Sequence, residues 1–117
     1  MINKYLRDLG ITEKDWPFKR DFKDKRYIPD DTGLAESDTW DMRSSLAMII
    51  YTYLMKFKET KRCAYPALMT PEKWEKILDE MIEGFAIIIK GVESKRQLKK
   101  AKRALALFKA YYLNLWW

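Results

Sequence analysis

The sequence predicts an all-α fold: a small helical bundle of three long helices behind an irregular aromatic and basic N-terminal arm. Three observations carry this. Residues 42–57, 74–89 and 98–115 each repeat apolar side chains at the three-and-four spacing of a helix face. Start and stop residues bound each run. No stretch alternates apolar and polar residues convincingly enough for a half-buried strand. The length suits a single helical domain over 1–117, with 1–37 as arm and loop and 38–117 as helical core.

In chain order, residues 3–9 form one short helix with Tyr5, Leu6 and Leu9 on its apolar side, and Gly10 stops it. Thr12 caps a turn holding Glu13 and Asp15. Trp16, Phe18, Phe22 and Tyr27 then alternate with Lys19, Arg20, Lys23, Lys25 and Arg26. Such interleaving can stack bases and contact phosphates. Asp15, Asp21 and Asp24 dilute the charge, which favours aromatic anchors tying the arm to the helices. Pro29, Asp30, Asp31 and Gly33 make 28–37 a loop.

Ser37 or Asp38 caps the first long helix, expected to reach about Lys61. Its buried face is read as Met42, Leu46, Ile49, Ile50, Tyr53, Leu54 and Phe57. From Ala47 to Met55 it is apolar nearly all round, which suits either a central helix or one side covered by another subunit. Residues 59–64 are a polar exit, and Tyr65-Pro66 breaks the helix. Thr70, Pro71 and Glu72 give the strongest helix start in the chain. That second long helix buries Trp74, Ile77, Leu78, Met81, Ile82, Phe85, Ile88 and Ile89. Gly84 costs about 1 kcal/mol of helix propensity against alanine, so a helix or ligand is expected to approach closely there. Gly91 ends the helix, and Ser94 with Gln97 begins the third. Leu98, Ala101, Leu105, Phe108, Tyr112 and Leu115 mark its apolar stripe. Tyr111 to Trp117 is aromatic enough to predict docking of the end on the arm, a second subunit or a partner.

Charge is unevenly placed. Residues 93–117 hold seven basic side chains against one acid and so carry the whole net charge of +6, while 1–92 is balanced. Lys95, Arg96, Lys99, Lys100, Lys102 and Arg103 crowd the first turns of the last helix, the end whose dipole disfavours cations. Two partners fit: the acidic face Glu75, Asp79 and Glu83 of the preceding helix, or an external anion such as phosphate.

The chain has no histidine and one cysteine, Cys63, which removes the usual general base and a cysteine-based metal site. No nucleotide-binding glycine loop, zinc-protease or nucleophile-elbow motif is present. Asp30, Asp31, Glu36, Asp38 and Asp41 lack the spacing of a calcium loop, and Asp38 and Asp41 have a capping reason to be there. No enzyme, cofactor or metal is expected. No basic-then-apolar leader opens the chain and no run approaches the ~20 apolar residues of a membrane span, so a soluble intracellular protein with no membrane partner is expected.

Two stretches carry a resemblance. Gly33-Leu34-Ala35-Glu36-Ser37-Asp38-Thr39-Trp40-Asp41-Met42 is similar to a G-F/L-S-x-x-D-x-W-x-L pattern. Residues 64–85, containing Tyr65-Pro66, Met69-Thr70-Pro71-Glu72, Trp74 and Met81-Ile82, resemble G-Y-P-x-x-M/L-T-x-E-E-W-x-x-I-L-x-x-M-I-x-x-F, with Ala64 in place of the glycine. Together, over about residues 33–89, they resemble a family of small proteins widespread in tailed-phage genomes. The resemblance implies a phage accessory protein in the cytoplasm of the infected bacterial host, binding rather than catalysing. Counter-defence is the natural class: sequestering an anionic nucleotide signal or inhibiting a host defence protein, as a homo-oligomer. The alternative is a DNA- or RNA-binding accessory protein of replication or gene expression. Trp40, Arg43, Tyr65 and Trp74, where the two motifs are expected to converge, and Lys95, Arg96, Lys99 and Arg103 on the basic helix are the candidate binding residues. For Trp40 and Trp74 the competing reading is that both are core anchors.

Overall fold

The computed structural model describes residues 2–60 and 65–116. The expected helix end at Lys61, the rest of the polar exit with Cys63, the Ala64 substitution and Trp117 lie outside the described residues. The described residues are helices, turns and loops with no strand: α1 (Lys4–Asp8), α2 (Met42–Glu59), α3 (Pro71–Lys90) and α4 (Lys95–Tyr111). The all-α bundle of three long helices is therefore what the chain forms.

Capping explains the boundaries. Thr70 Oγ1 accepts from the Lys73 amide at 3.2 Å and Pro71 occupies the first helical position of α3. Ser94 Oγ accepts from the Gln97 amide, and the Gln97 side chain accepts from the Glu93 amide. Gly91 closes α3 at φ 104°, a conformation that favours glycine. The start of α2 differs from expectation. Glu36–Thr39 is a 3₁₀ turn, and Asp41 rather than Ser37 or Asp38 caps α2. Asp38 is committed elsewhere: its carboxylate accepts from the Ala35 amide at 2.9 Å and from Arg20 at 2.7 Å.

α3 is the centre of the bundle and packs against both α2 and α4. α3 and α4 run antiparallel, since Glu83 pairs with Lys100 while Glu80 pairs with Arg103. Leu78 and Met81 are fully buried and Trp74 and Phe85 nearly so. Each contributes roughly 1.5–3 kcal/mol through burial. Gly84 faces α4, where an added Cβ would collide with Ala104 and lie 2.8 Å from the Lys100 carbonyl. The close approach expected there is thus made by a helix.

Two expected faces are corrected. In α2 the buried residues are Ser45, Ala47, Met48, Tyr51 and Leu54, while Met42, Leu46, Ile49 and Tyr53 are exposed. Periodicity cannot choose a face in a helix that is apolar on all sides. In α4 the buried residues are Ala101, Ala104 and Leu107, while Leu98, Leu105 and Tyr112 lie outside. Small residues occupy the tight contact with α3, and the large ones stand beside it.

α1 packs on α2. Asn3 caps α1 and also donates to Thr52 Oγ1, and the Tyr5 hydroxyl donates to Glu59 at 2.6 Å. That carboxylate raises the phenol pKa to about 12. The arm is held by Trp16, packed against the core, and by Arg20 on Asp38. Phe22, read as an anchor, is 76% exposed and Trp116 63% exposed. No helix among the described residues is long and apolar enough to cross a membrane.

Candidate functional site

The cations of α4 divide into two sets. Lys100 and Arg103 face α3 and pair with Glu83 and Glu80. Asp79 instead pairs with Lys58 of α2. The acidic face of α3 therefore does meet the basic helix, through Glu80 and Glu83. These pairs are largely exposed, and each is worth no more than about 1 kcal/mol. Lys95, Arg96, Lys99 and Lys102 are exposed and form no ion pair with a described residue.

Lys95, Lys99 and Lys102 follow i, i+4, i+7 spacing and make a ridge that rises about 10 Å along the helix. Arg96 stands beside it. A shallow cleft next to the ridge is lined by Glu80, Glu83, Arg96, Lys99, Lys100 and Arg103. Among the described residues no aromatic ring lines that cleft. The arrangement can meet a row of phosphates. It does not offer a ring to sandwich a base.

The two motif tryptophans differ in kind. Trp40 is half-exposed and held by the arm, with Tyr27 edge-on at 5.4 Å and the Arg26 guanidinium 5.2 Å from its ring centre. Trp74 is a core anchor, 2% exposed, edge-on to Tyr111 at 5.6 Å, and its Nε1 has no hydrogen-bond partner among the described residues. Arg43 lies exposed in the first turn of α2, and Tyr65 is half-exposed beyond the other end of that helix. The 18 residues of α2 span about 27 Å, so its length separates Trp40 and Arg43 from that far end. Trp74 meets the C-terminal turn of α4, about 24 Å along the helix from Lys95. Of the candidate residues, the structure brings together only the α4 cations.

The acidic loop is used internally. Asp38 is buried, and burial alone would raise its pKa, but Arg20 and the Ala35 amide hold it below the usual carboxylate range. Asp30 caps its own turn through Thr32, which holds its pKa down as well. Among the described residues no three acid, cysteine or histidine side chains come together as metal ligands would. The Arg20–Asp38 link was not legible in the sequence, since Asp38 read equally well as a helix cap.

No protein-family model matches the chain, and neither a curated protein nor a solved structure shows significant similarity to it.

Proposed function

We propose that the chain is a non-enzymatic binding protein whose working surface is the α4 ridge and whose partner is the phosphate backbone of a nucleic acid. The observation that carries this is the four exposed cations, Lys95, Arg96, Lys99 and Lys102, left over after α3 has paired its acids with Lys100 and Arg103. They oppose the dipole of their own helix, a placement that an external anion relieves. The resemblance to tailed-phage proteins supplies the setting: an accessory factor in the infected cell, in counter-defence or gene expression. Capture of a nucleotide signal fits less well, because Trp40, Tyr65 and Trp74 all stand outside the cleft beside the cations.

Fluorescence anisotropy with a labelled duplex and with single-stranded DNA and RNA tests this. Three to four phosphate contacts give a slope of about −3 in log K against log salt. Lys99→Glu with Lys102→Glu lowers affinity at least about tenfold at low salt. No anisotropy change with any of the three probes at about 50 mM salt overturns the reading.

A further inference from the structure

α2 lies at the side of the bundle. Lys58 reaches α3, and Thr52 and Glu59 meet α1. Its outward face shows Met42, Leu46, Ile49 and Tyr53 at i, i+4, i+7 and i+11, with 39–74% of each exposed. α4 adds a second apolar strip on the flank away from its ion pairs: Leu98, Leu105 and Tyr112. Between the two helices lies an open trough of about 240 Å³, walled by residues such as Ile50, Tyr53, Phe57 and Phe108, with no charged side chain among the described residues of its lining. At these exposures the strip residues leave on the order of 700 Å² open, part of it backbone and hydroxyl, against the ~300–600 Å² of the largest apolar patch on a typical monomer. That is on the scale of the ~800 Å² that each partner contributes to a standard stable interface.

We propose that this α2–α4 face is the interface between two copies of the chain. A two-fold interface must be complementary to itself. This face carries both halves of such a fit: Tyr53, 74% exposed, stands at the rim of the trough, and the trough beside it is a recess. An apolar cavity of about 150 Å³ already accepts a benzene-sized ring, so the ring of Tyr53 from each copy fits the trough of the other. Arg43 and Lys56, which neighbour the strip on α2, are both cationic. The association therefore rests on apolar burial, not on ion pairing, and persists in high salt. Arg96 and Lys99 lie on the side of α4 away from the strip, whereas Lys95 and Lys102 border it as i−3 and i+4 neighbours of Leu98.

Sedimentation equilibrium of the full chain at low and at molar salt tests this. The expected mass is twice the 14.1 kDa of one chain in both. Tyr53→Glu and Leu46→Glu each raise the dissociation constant at least about 30-fold with helicity unchanged. Leu68→Glu, at a fully exposed loop position, leaves the dimer intact. If a glutamate variant loses helicity, the milder Tyr53→Ser decides. A wild-type monomer at tens of micromolar overturns the proposal. A dimer indifferent to Tyr53 and Leu46, one that dissociates in salt, or one broken by Leu68→Glu also overturns it. Arg96→Glu with Lys99→Glu leaves the dimer unchanged while weakening nucleic-acid binding, so failure of nucleic-acid binding and failure of dimerisation are separate results.

Discussion

The two flanks of α4 are built on opposite rules. Toward α3 the contact around Gly84 is made by Ala101 and Ala104, with Phe108 on Phe85 and Tyr111 on Trp74 further along, and a border of ion pairs closes it. On the flank away from those ion pairs the helix and the turn after it offer Leu98, Leu105 and Tyr112, and nothing among the described residues covers them fully. At the level of Gly84 the flank with the smaller side chains is the one that is packed. Small residues let two backbones approach, whereas a large residue fills space only if a partner supplies the other wall. Hydrophobicity alone therefore ranks the two flanks the wrong way round.

Adjacent residues give the sharpest way to break that contrast. Ala104→Leu adds apolar volume where Gly84 touches and should cost about 3 kcal/mol by overpacking. Leu105→Ala, which removes apolar volume one residue away, should cost under about 1 kcal/mol, because half of that side chain is already in water. Urea unfolding of both, in a Tyr53→Glu background that removes any association, checks the inversion. Equal costs would mean that the two flanks are packed alike.

The next effect concerns the arm. Asp38 has a folded pKa below its ordinary value of 3.8, so its contribution is complete above that value and disappears as pH falls through the folded pKa. Asp38→Asn should cost about 1.5–3 kcal/mol at neutral pH, the worth of hydrogen bonds to a charged group. It should also flatten the acid limb of the stability profile below pH 3.8. Thermal melts from neutral to acid pH for the two proteins read this; an unchanged acid limb would remove Asp38 as the acid-sensitive anchor. The smallest effect is at the border of the packed flank. Glu83→Gln should change stability by less than about 1 kcal/mol, since both partners are roughly half exposed. It should nonetheless tighten nucleic-acid binding a few-fold by freeing Lys100, and weaker binding would count against the ridge.

The helices were legible in the sequence because caps are local chemistry. Thr70-Pro71, Gly91 and Ser94 act within one turn, and each does what its residue type demands. Which face is buried was legible for α3, where polar and apolar sides are distinct. It was not for α2, whose apolar residues run round the helix and leave the choice to tertiary packing. The α4 stripe joined core positions such as Ala101 and Phe108 to the open Leu98 and Leu105, because a seven-residue spacing does not reveal which side a neighbour occupies. Gly84 was the one residue that announced a close neighbour. At the site, the cation cluster was readable from composition, but its division into paired and unpaired members depends on α3 side chains seventeen to twenty-three residues away. The expected meeting of Trp40 with Trp74 failed for a simple reason: two helix starts separated by the length of α2 cannot share one pocket.

Chain order gives the exposed side of α2 a further consequence. α2 is complete at Glu59, but α4 is complete only at Tyr111, 52 residues later. At about 5–20 residues per second of synthesis, that gap is about 3–10 s. Until α3 is complete, 31 residues after Glu59, a helix apolar nearly all round from Ala47 to Met55 has only α1 and the arm to shield it. Nascent copies on neighbouring ribosomes present the same surface at the same time, so pairing between chains can begin before either has finished its own bundle.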